Sequence, residues 1–182
     1  AAMLSNTAAE LIFTNNKALT VAEIDGLTGI QVADGSMQLT SALGDLTINS
    51  NLVAGAGGIE LQSSMADLIL AADLSAQNVS LLAPEGEIRQ TSGNITSSGI
   101  GISTILRPTL NTDTDKRIQT LAVNLTGTGE SFTFDRDYGF IVGTVGSIQG
   151  IKLVDADINL TVNNGSLSVE QGLQAGTGII RI

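Results

Sequence analysis

The sequence predicts an all-β protein, a right-handed parallel β-helix with about 20–22 residues and three short strands in each coil. Composition supports this prediction, because 42% of the 182 residues are hydrophobic but only 3% are aromatic. A core without large rings must be built from many thin layers of Leu, Ile, Val and Ala, which stacked strands provide. The 21 Gly and only 2 Pro supply frequent turns without interrupting strands. Two nested repeats are the strongest support.

The longer repeat joins the two ends of the chain. Residues 1–61 align without a gap to residues 122–182 at an offset of 121. Apolar, acidic and glycine positions agree along this alignment. The matches include Phe13 with Phe134, Val21 with Val142, Asp34 with Asp155, Gly44 with Gly165, Leu46 with Leu167, and Gly57 with Gly178. We therefore expect residues 1–182 to form a single solenoid that contains two copies of one long repeat.

A shorter period lies inside the long repeat, and it consists of three series of similar segments. The first series begins at residues 44, 66 and 86, the second at residues 51, 73 and 94, and the third at residues 58, 78 and 101. Apolar and polar residues alternate within each segment, so that Leu46 and Ile48 point to one side while Thr47 points to the other. Three strands per coil match a β-helix. A Greek-key sandwich would not produce three series in phase.

Two segments depart from this pattern. Residues 104–121 contain Pro108 and a group of charges, and are predicted to form a loop or a distorted coil. Four of the aromatic residues cluster just after it. Alternation predicts that Phe132, Phe134 and Phe140 fill the core and that Tyr138 is exposed.

Charge and composition limit the functions open to the chain. Its 18 acidic and 8 basic residues give a net charge of −10, which disfavours nucleic acid and anionic membranes as partners. It has no Cys and no His, so disulfides, Ser-His and Cys-His catalysis and most zinc sites are excluded. We therefore expect no enzyme. The start lacks a basic signal-peptide region and no run is long enough to span a membrane, so we expect a segment of something longer without direct membrane insertion.

The acidic residues Asp45, Asp67 and Glu87 occupy one position in three successive coils. Stacking would place these like charges about 5 Å apart. One interpretation is a cation ladder, with Ca²⁺ as the cofactor because it prefers oxygen ligands. The interpretation we favour is a solvated acidic edge, because the glycine-rich calcium repeat of toxin-type β-helices is missing. No other cofactor is expected.

Two further groups are candidate binding residues. Charged residues in the segment that interrupts the pattern, residues 104–121, could bind a glycan or a metal, or could simply be solvated. We call residues 104–121 the interrupted segment, and its candidate binding residues are Asp113, Asp115, Lys116 and Arg117. Tyr138 with Asp137 could form a platform on which a sugar stacks.

The chain resembles a known family. Residues 121–145 open with Leu-Ala-Val-Asn-Leu-Thr and continue through Phe-Thr-Phe to an aliphatic strand, as in repeats of filamentous haemagglutinin-like adhesins and other giant bacterial exoproteins. Residues 165–169, leading to residues 173–178, are similar to such repeats too. The resemblance implies a long right-handed β-helix that is secreted or held at the cell surface as an adhesin, a filament or a toxin-delivery stalk.

Two functions follow as expectations. The first is a structural scaffold segment of a large secreted or cell-surface bacterial protein, in an adhesin stalk or extracellular filament. Its partners would be neighbouring repeats or copies of itself end to end, and surface glycans or a partner cell. The alternative is a carbohydrate-binding or polysaccharide-degrading β-helix with a groove beside residues 104–121.

Overall fold

The computed structural model describes residues 2–4, 9–110 and 118–182, of which 2–4 are described by their backbone alone. It is all-β, and its parallel sheets stack as a β-solenoid of about seven coils. The predicted fold class is therefore confirmed. Within the described ranges, no helix is of a length and hydropathy that would let it cross a bilayer.

The first part of the solenoid has three faces, with strands numbered in chain order. Face 1 contains β1 (Ala2–Leu4), β4 (Ile30–Val32), β7 (Leu52–Val53), β10 (Leu74–Ser75) and β13 (Ile95–Thr96). Face 2 contains β2 (Leu11–Asn15), β5 (Met37–Ser41), β8 (Gly58–Ser63), β11 (Asn78–Ala83) and β14 (Gly99–Thr104). Face 3 contains β3 (Leu19–Val21), β6 (Leu46–Ile48), β9 (Leu68–Leu70) and β12 (Ile88–Gln90).

The second part follows the interrupted segment. Its strands are β15 (Thr120–Thr128), β16 (Phe132–Arg136), β17 (Phe140–Val142), β18 (Thr144–Val145), β19 (Ile148–Gln149), β20 (Ile151–Val154), β21 (Ile158–Val162), β22 (Leu167–Val169), β23 (Leu173–Gln174) and β24 (Ile180–Arg181). All these strands pair in parallel except β18 and β19, which form an antiparallel hairpin.

Inward-pointing aliphatic side chains form continuous columns along the solenoid. On face 2, register pairs the residues of one such column in order, Leu39, Leu61, Leu81, Ile102 and Val123. Each of these side chains is at most 2% exposed. Because alternate residues of a strand point to opposite sides, every strand directs some of its side chains into the core. Each coil therefore adds one layer of aliphatic side chains to these columns. The core therefore needs few aromatic residues.

Buried hydroxyl groups close the corner between faces 2 and 3. Ser41 Oγ lies 2.8 Å from the Lys17 carbonyl oxygen and 2.7 Å from that of Gly44, so the two oxygens share its one proton, and Ser63 Oγ donates to the Gly44 carbonyl oxygen (3.0 Å). Thr104 Oγ1 donates to the Gly86 carbonyl at 2.8 Å. These hydroxyls satisfy turn carbonyls that would otherwise be buried without a partner.

The two copies of the long repeat have the same local structure. Strands β2, β3, β5, β6 and β7 have the same bounds as β16, β17, β21, β22 and β23 at the offset of 121. Asp34 and Asp155 both adopt left-handed backbone conformations, with φ of 55° and 51°. Their Oδ1 atoms accept hydrogen bonds from the backbone N–H groups of Ala56 and Thr177, both at 2.9 Å.

The period is less regular than the sequence indicated. Partners on face 2 are 20 to 22 residues apart from Met37 to Leu121, but Leu11 pairs with Met37, 26 residues away. The first coil is longer because residues 22–29 form a hairpin, in which Ile24 and Leu27 pair antiparallel. The β18–β19 hairpin lies at the equivalent position of the second copy.

The interrupted segment continues the stack before the second copy begins. Thr109 pairs with Arg89, so it adds a further layer to face 3. Thr104 ends β14, and Thr120 begins β15, so both ends of the predicted loop belong to strands. Residues 111–117 lie outside the described residues.

The second copy is turned by one face relative to the first. Strand β15 is the counterpart of β1 from face 1, yet it stacks on β14 of face 2. Phe132 and Phe134 of β16, the counterpart of β2, share a small cavity with Pro108 and Leu110, the neighbours of the Thr109 layer. Leu11 reaches Leu121 after five pairing steps, and its counterpart Phe132 lies one face beyond. The long repeat therefore advances five coils and one face.

Replacing a core leucine tests the layered packing. Leu61 is 0% exposed, so we expect Leu61→Ala to lower the free energy of unfolding by about 2–5 kcal/mol in urea denaturation. Leu43, which is 63% exposed in a turn, provides the matched control. Leu43→Ala should change the free energy of unfolding by less than about 0.5 kcal/mol. Equal effects of the two substitutions would contradict the assigned core.

Candidate functional site

The predicted ladder residues lie at equivalent places in three successive coils, just before face 3. Asp45 Oδ1 accepts a hydrogen bond from the backbone N–H of Asp67 at 3.2 Å, and Asp67 Oδ1 accepts one from Glu87 at 2.9 Å. The carboxylates of Asp45 and Asp67 therefore each bond to the backbone of the following coil. The dipoles of these N–H groups point at the carboxylates and offset part of the repulsion within the column.

A guanidinium group provides further compensation. Arg89 lies in β12, two residues after Glu87. Its Nη2 donates a hydrogen bond to Asp67 Oδ2. Its Nη1 is 3.8 Å from Glu87 Oε2. Arg89 is 47% exposed, so these ion pairs contribute little to stability by themselves.

The geometry of the column gives no support to a calcium site. Ca²⁺ requires six to eight oxygen ligands that converge on one point. Over residues 9–110 and 118–182, no group of three or more Asp, Glu, His or Cys side chains is arranged to hold a metal ion. The carboxylates of Asp45 and Asp67 bond to the next coil, and that of Glu87 lies beside Arg89, so the arrangement favours a structural role.

The same device recurs at other corners, where sequence reasoning did not identify it. Asp73 N–H donates to Asn51 Oδ1 at 3.0 Å, and Asn94 N–H donates to Asp73 Oδ1 at 2.8 Å. Asp157 Oδ1 accepts from Ile179 N–H at 2.8 Å. The signal was available in the sequence, because an Asp, Asn or Glu precedes a strand in successive coils. These residues hold consecutive coils in register.

Asp157 is the clearest electrostatic case. Its Oδ2 accepts a hydrogen bond from Arg181 Nη1 at 2.7 Å, and its Oδ1 accepts the Ile179 N–H. The hydrogen bond from Arg181, followed by that from Ile179, holds the pKa of the Asp157 carboxyl below its ordinary value of 3.8. Both contacts connect β21 with the last described coil.

The aromatic segment is arranged as predicted. Phe132, Phe134 and Phe140 are 6%, 6% and 3% exposed, and the Phe134 and Phe140 rings meet edge to face with centroids 5.0 Å apart. Tyr138 is 48% exposed, which confirms its predicted position at the surface. The burial of Arg136 was not predicted from the sequence. Arg136 is 9% exposed, and its guanidinium lies 4.8 Å from the Phe134 ring centroid.

Polar residues lie next to Tyr138 in the sequence, and two of them bond to the neighbouring coil. Asn163 Nδ2 donates to Asp135 Oδ1 at 3.1 Å and to Asp137 Oδ1 at 3.2 Å. Asp137 is thus tied to the neighbouring coil, which makes this surface ordered. The predicted loop residues Asp113, Asp115, Lys116 and Arg117 lie outside the described residues.

A polar groove runs over the outer surface of face 2. It has a volume of about 360 Å³ and is lined by Glu10, Gln38, Glu60, Asn78, Ser80 and neighbouring residues. Gln38 Nε2 donates to Glu60 Oε1 at 2.6 Å, so one carboxylate of this groove is already engaged across two coils. The β18–β19 hairpin borders the groove at Gly146.

Comparison with protein-family models, with curated proteins and with solved structures gives no match for this chain.

Removing one carboxylate separates the structural and metal interpretations of the ladder. Asp67→Ala should lower the free energy of unfolding by about 0.5–1.5 kcal/mol, because the Glu87 N–H loses its acceptor, whereas Asp67→Asn should retain most of it. Glu85 is exposed in the turn before β12, so Glu85→Ala controls for the lost charge. Thermal unfolding is then repeated with calcium and with a chelator. A rise in melting temperature with calcium that Asp67→Asn abolishes would support a metal site instead.

The stability contributed by Asp157 should depend on pH. Because its pKa is lowered in the folded state, this contribution is present above the ordinary value of 3.8 and is lost as pH falls through the lowered value. Urea unfolding should therefore show a destabilising effect of Asp157→Asn at pH 7 that shrinks toward pH 3. Arg181→Ala should flatten the same pH dependence, because Arg181 is the main cause. An effect of Asp157→Asn that is constant with pH would contradict this assignment.

Proposed function

We propose that this chain is a structural scaffold segment of a large secreted or cell-surface bacterial protein, in an adhesin stalk or an extracellular filament. The observation that supports this most directly is the parallel pairing that carries the stack of coils into the second copy of the long repeat. Strand β14 pairs with β15 over six residues, and β15 in turn pairs with β17 and β20 of the second copy. A repeat that stacks on itself in this way can extend without limit.

The core is continuous across the junction as well. Ile102, Val123 and Leu153 belong to one cluster of buried residues, which includes side chains from both copies. Backbone hydrogen bonds cross between coils throughout, for example from Val123 N–H to the Gly150 carbonyl at 2.8 Å. Long-range bending therefore requires breaking backbone pairing, and the result is a stiff rod.

The surface chemistry favours spacing over catalysis. The carboxylates at the corners accept backbone N–H groups of the next coil, which commits them to holding the rod together. A net charge of −10 keeps the rod soluble and opposes side-to-side association. The lack of Cys means that folding is independent of redox conditions, which suits a protein outside the cell.

Surface labelling of bacteria that make the protein tests this proposal. Antibodies raised against the 182-residue chain should label intact cells in electron microscopy, on thin rods with a repeat of about 4.8 Å per coil. A cytoplasmic marker on the same cells controls for leakage. Labelling only after permeabilisation would contradict the proposal. Binding of a polysaccharide that Glu60→Ala abolishes would favour the carbohydrate alternative, with its site at the face 2 groove and not beside residues 104–121 as expected from the sequence.

A further inference from the structure

Two hairpins occupy equivalent positions in the two copies but have very different surroundings. The first hairpin is residues 22–29, closed by hydrogen bonds between Ile24 and Leu27 at 3.0 and 2.9 Å. The second hairpin is residues 143–150, in which Val145 pairs with Ile148. Ile24 is 67% exposed and Leu27 is 59% exposed, whereas Val145 and Ile148 are 2% and 6% exposed.

The second hairpin is buried because it lies on the outer surface of face 2. Val145 and Ile148 form a separate apolar cluster with Ala122 of β15. Gly99 and Gly101 of β14 leave room for the hairpin, since a Cβ atom at Gly101 would lie 2.9 Å from the Val145 carbonyl oxygen and 3.2 Å from Ile148 Cδ1. Small residues on an outward-facing strand surface are thus the complement of this hairpin.

The first coil shows the same contrast at its open end. Phe13 is 48% exposed, and with Leu11, Leu19 and Ile30 it lines an apolar cavity of about 270 Å³. The counterparts of these four residues are at most 6% exposed, and they are Phe134, Phe132, Phe140 and Ile151. In the second copy this end rests on the preceding coil, which contains Pro108 and Leu110.

We propose that the first hairpin and the open end of the first coil form one docking surface, and that its occupant is a further copy of residues 62–121, the coils that precede the second copy in this chain. That copy would present the counterparts of Gly99 and Gly101 to Ile24 and Leu27, as β14 presents these glycines to Val145 and Ile148. The internal junction of the chain is the template for this interface. The inference rests on the proposed scaffold function for its biological purpose, and its test does not depend on where the protein is located.

Extending the full chain recreates the interface. A duplicate of residues 62–121 is joined directly before Ala1, so that residues 1–61 follow it as residues 122–182 follow the original. Since the chain has no Cys, single substitutions provide specific probes for thiol labelling under native conditions. The probes are Ile24→Cys, Phe13→Cys, Ile12→Cys and Val145→Cys, each made in the original and in the extended chain.

The expected pattern is specific to each position. Ile24→Cys and Phe13→Cys should label rapidly in the original chain and at least about tenfold more slowly in the extended chain, because burial protects them. Ile12→Cys should label rapidly in both, because Ile12 is 58% exposed and its counterpart Thr133 is also exposed. Val145→Cys should label slowly in both, which shows that the original coils remain folded in the extended chain.

Two results would overturn the proposal. One is rapid labelling of Ile24→Cys in the extended chain while Val145→Cys stays slow. The other is protection of Ile24→Cys in the original chain that rises with concentration, with dimers in sedimentation, because the occupant would then be the other end of a second chain. A substitution in the duplicate alone provides the converse control. Replacing its copy of Gly101 by Val should restore rapid labelling of Ile24→Cys.

Discussion

Parallel backbone pairing between successive coils is the constraint on which the rest of the structure depends. Every coil must present its N–H and C=O groups in register with the coil before it, because unpaired backbone groups in the interior are costly. This requirement explains the inward columns of Leu, Ile and Val, in which one residue of a coil lies over its partner in the next. It also explains why acidic and amide side chains recur at corners, where the chain leaves a strand and its backbone N–H groups lack strand partners. Asp34, Asp67, Asp73 and Asp155 all accept such a group from the next coil.

The architecture could be predicted because the constraint is written into local patterns. Alternation within short segments and a spacing of 20 to 22 residues identified the strands and their stacking, and the position of Tyr138 followed from alternation as well. The role of the acidic column could not be decided in the same way. An in-phase series of Asp45, Asp67 and Glu87 has the same appearance whether the carboxylates hold a cation or accept backbone N–H groups. Only the distances to the next coil separate the two interpretations.

Other features were not predictable because they depend on contacts between distant residues. The hairpins lengthen the first coil of each copy, but Ile24 and Leu27 are too short a pattern to reveal a pair of strands. Whether such a hairpin is buried depends on Gly99, Gly101 and Ala122, which lie in other coils. The turn of the second copy by one face arises in the segment around Thr109, where the sequence has no period. A sequence repeat thus specifies equivalent residues without specifying which surface they meet.

The advance of five coils and one face has a geometrical consequence for an array of such copies. Each copy would be rotated by about a third of a turn relative to the one before it, because the solenoid has three faces. Any outward feature that the copies share, such as the exposed Asp34 and its counterpart Asp155, would then point in three directions in succession. It would return to its starting direction after three copies, or about sixteen coils, which is roughly 77 Å at about 4.8 Å per coil. A group that lies on one side of each copy would thereby be displayed on all sides of the fibre.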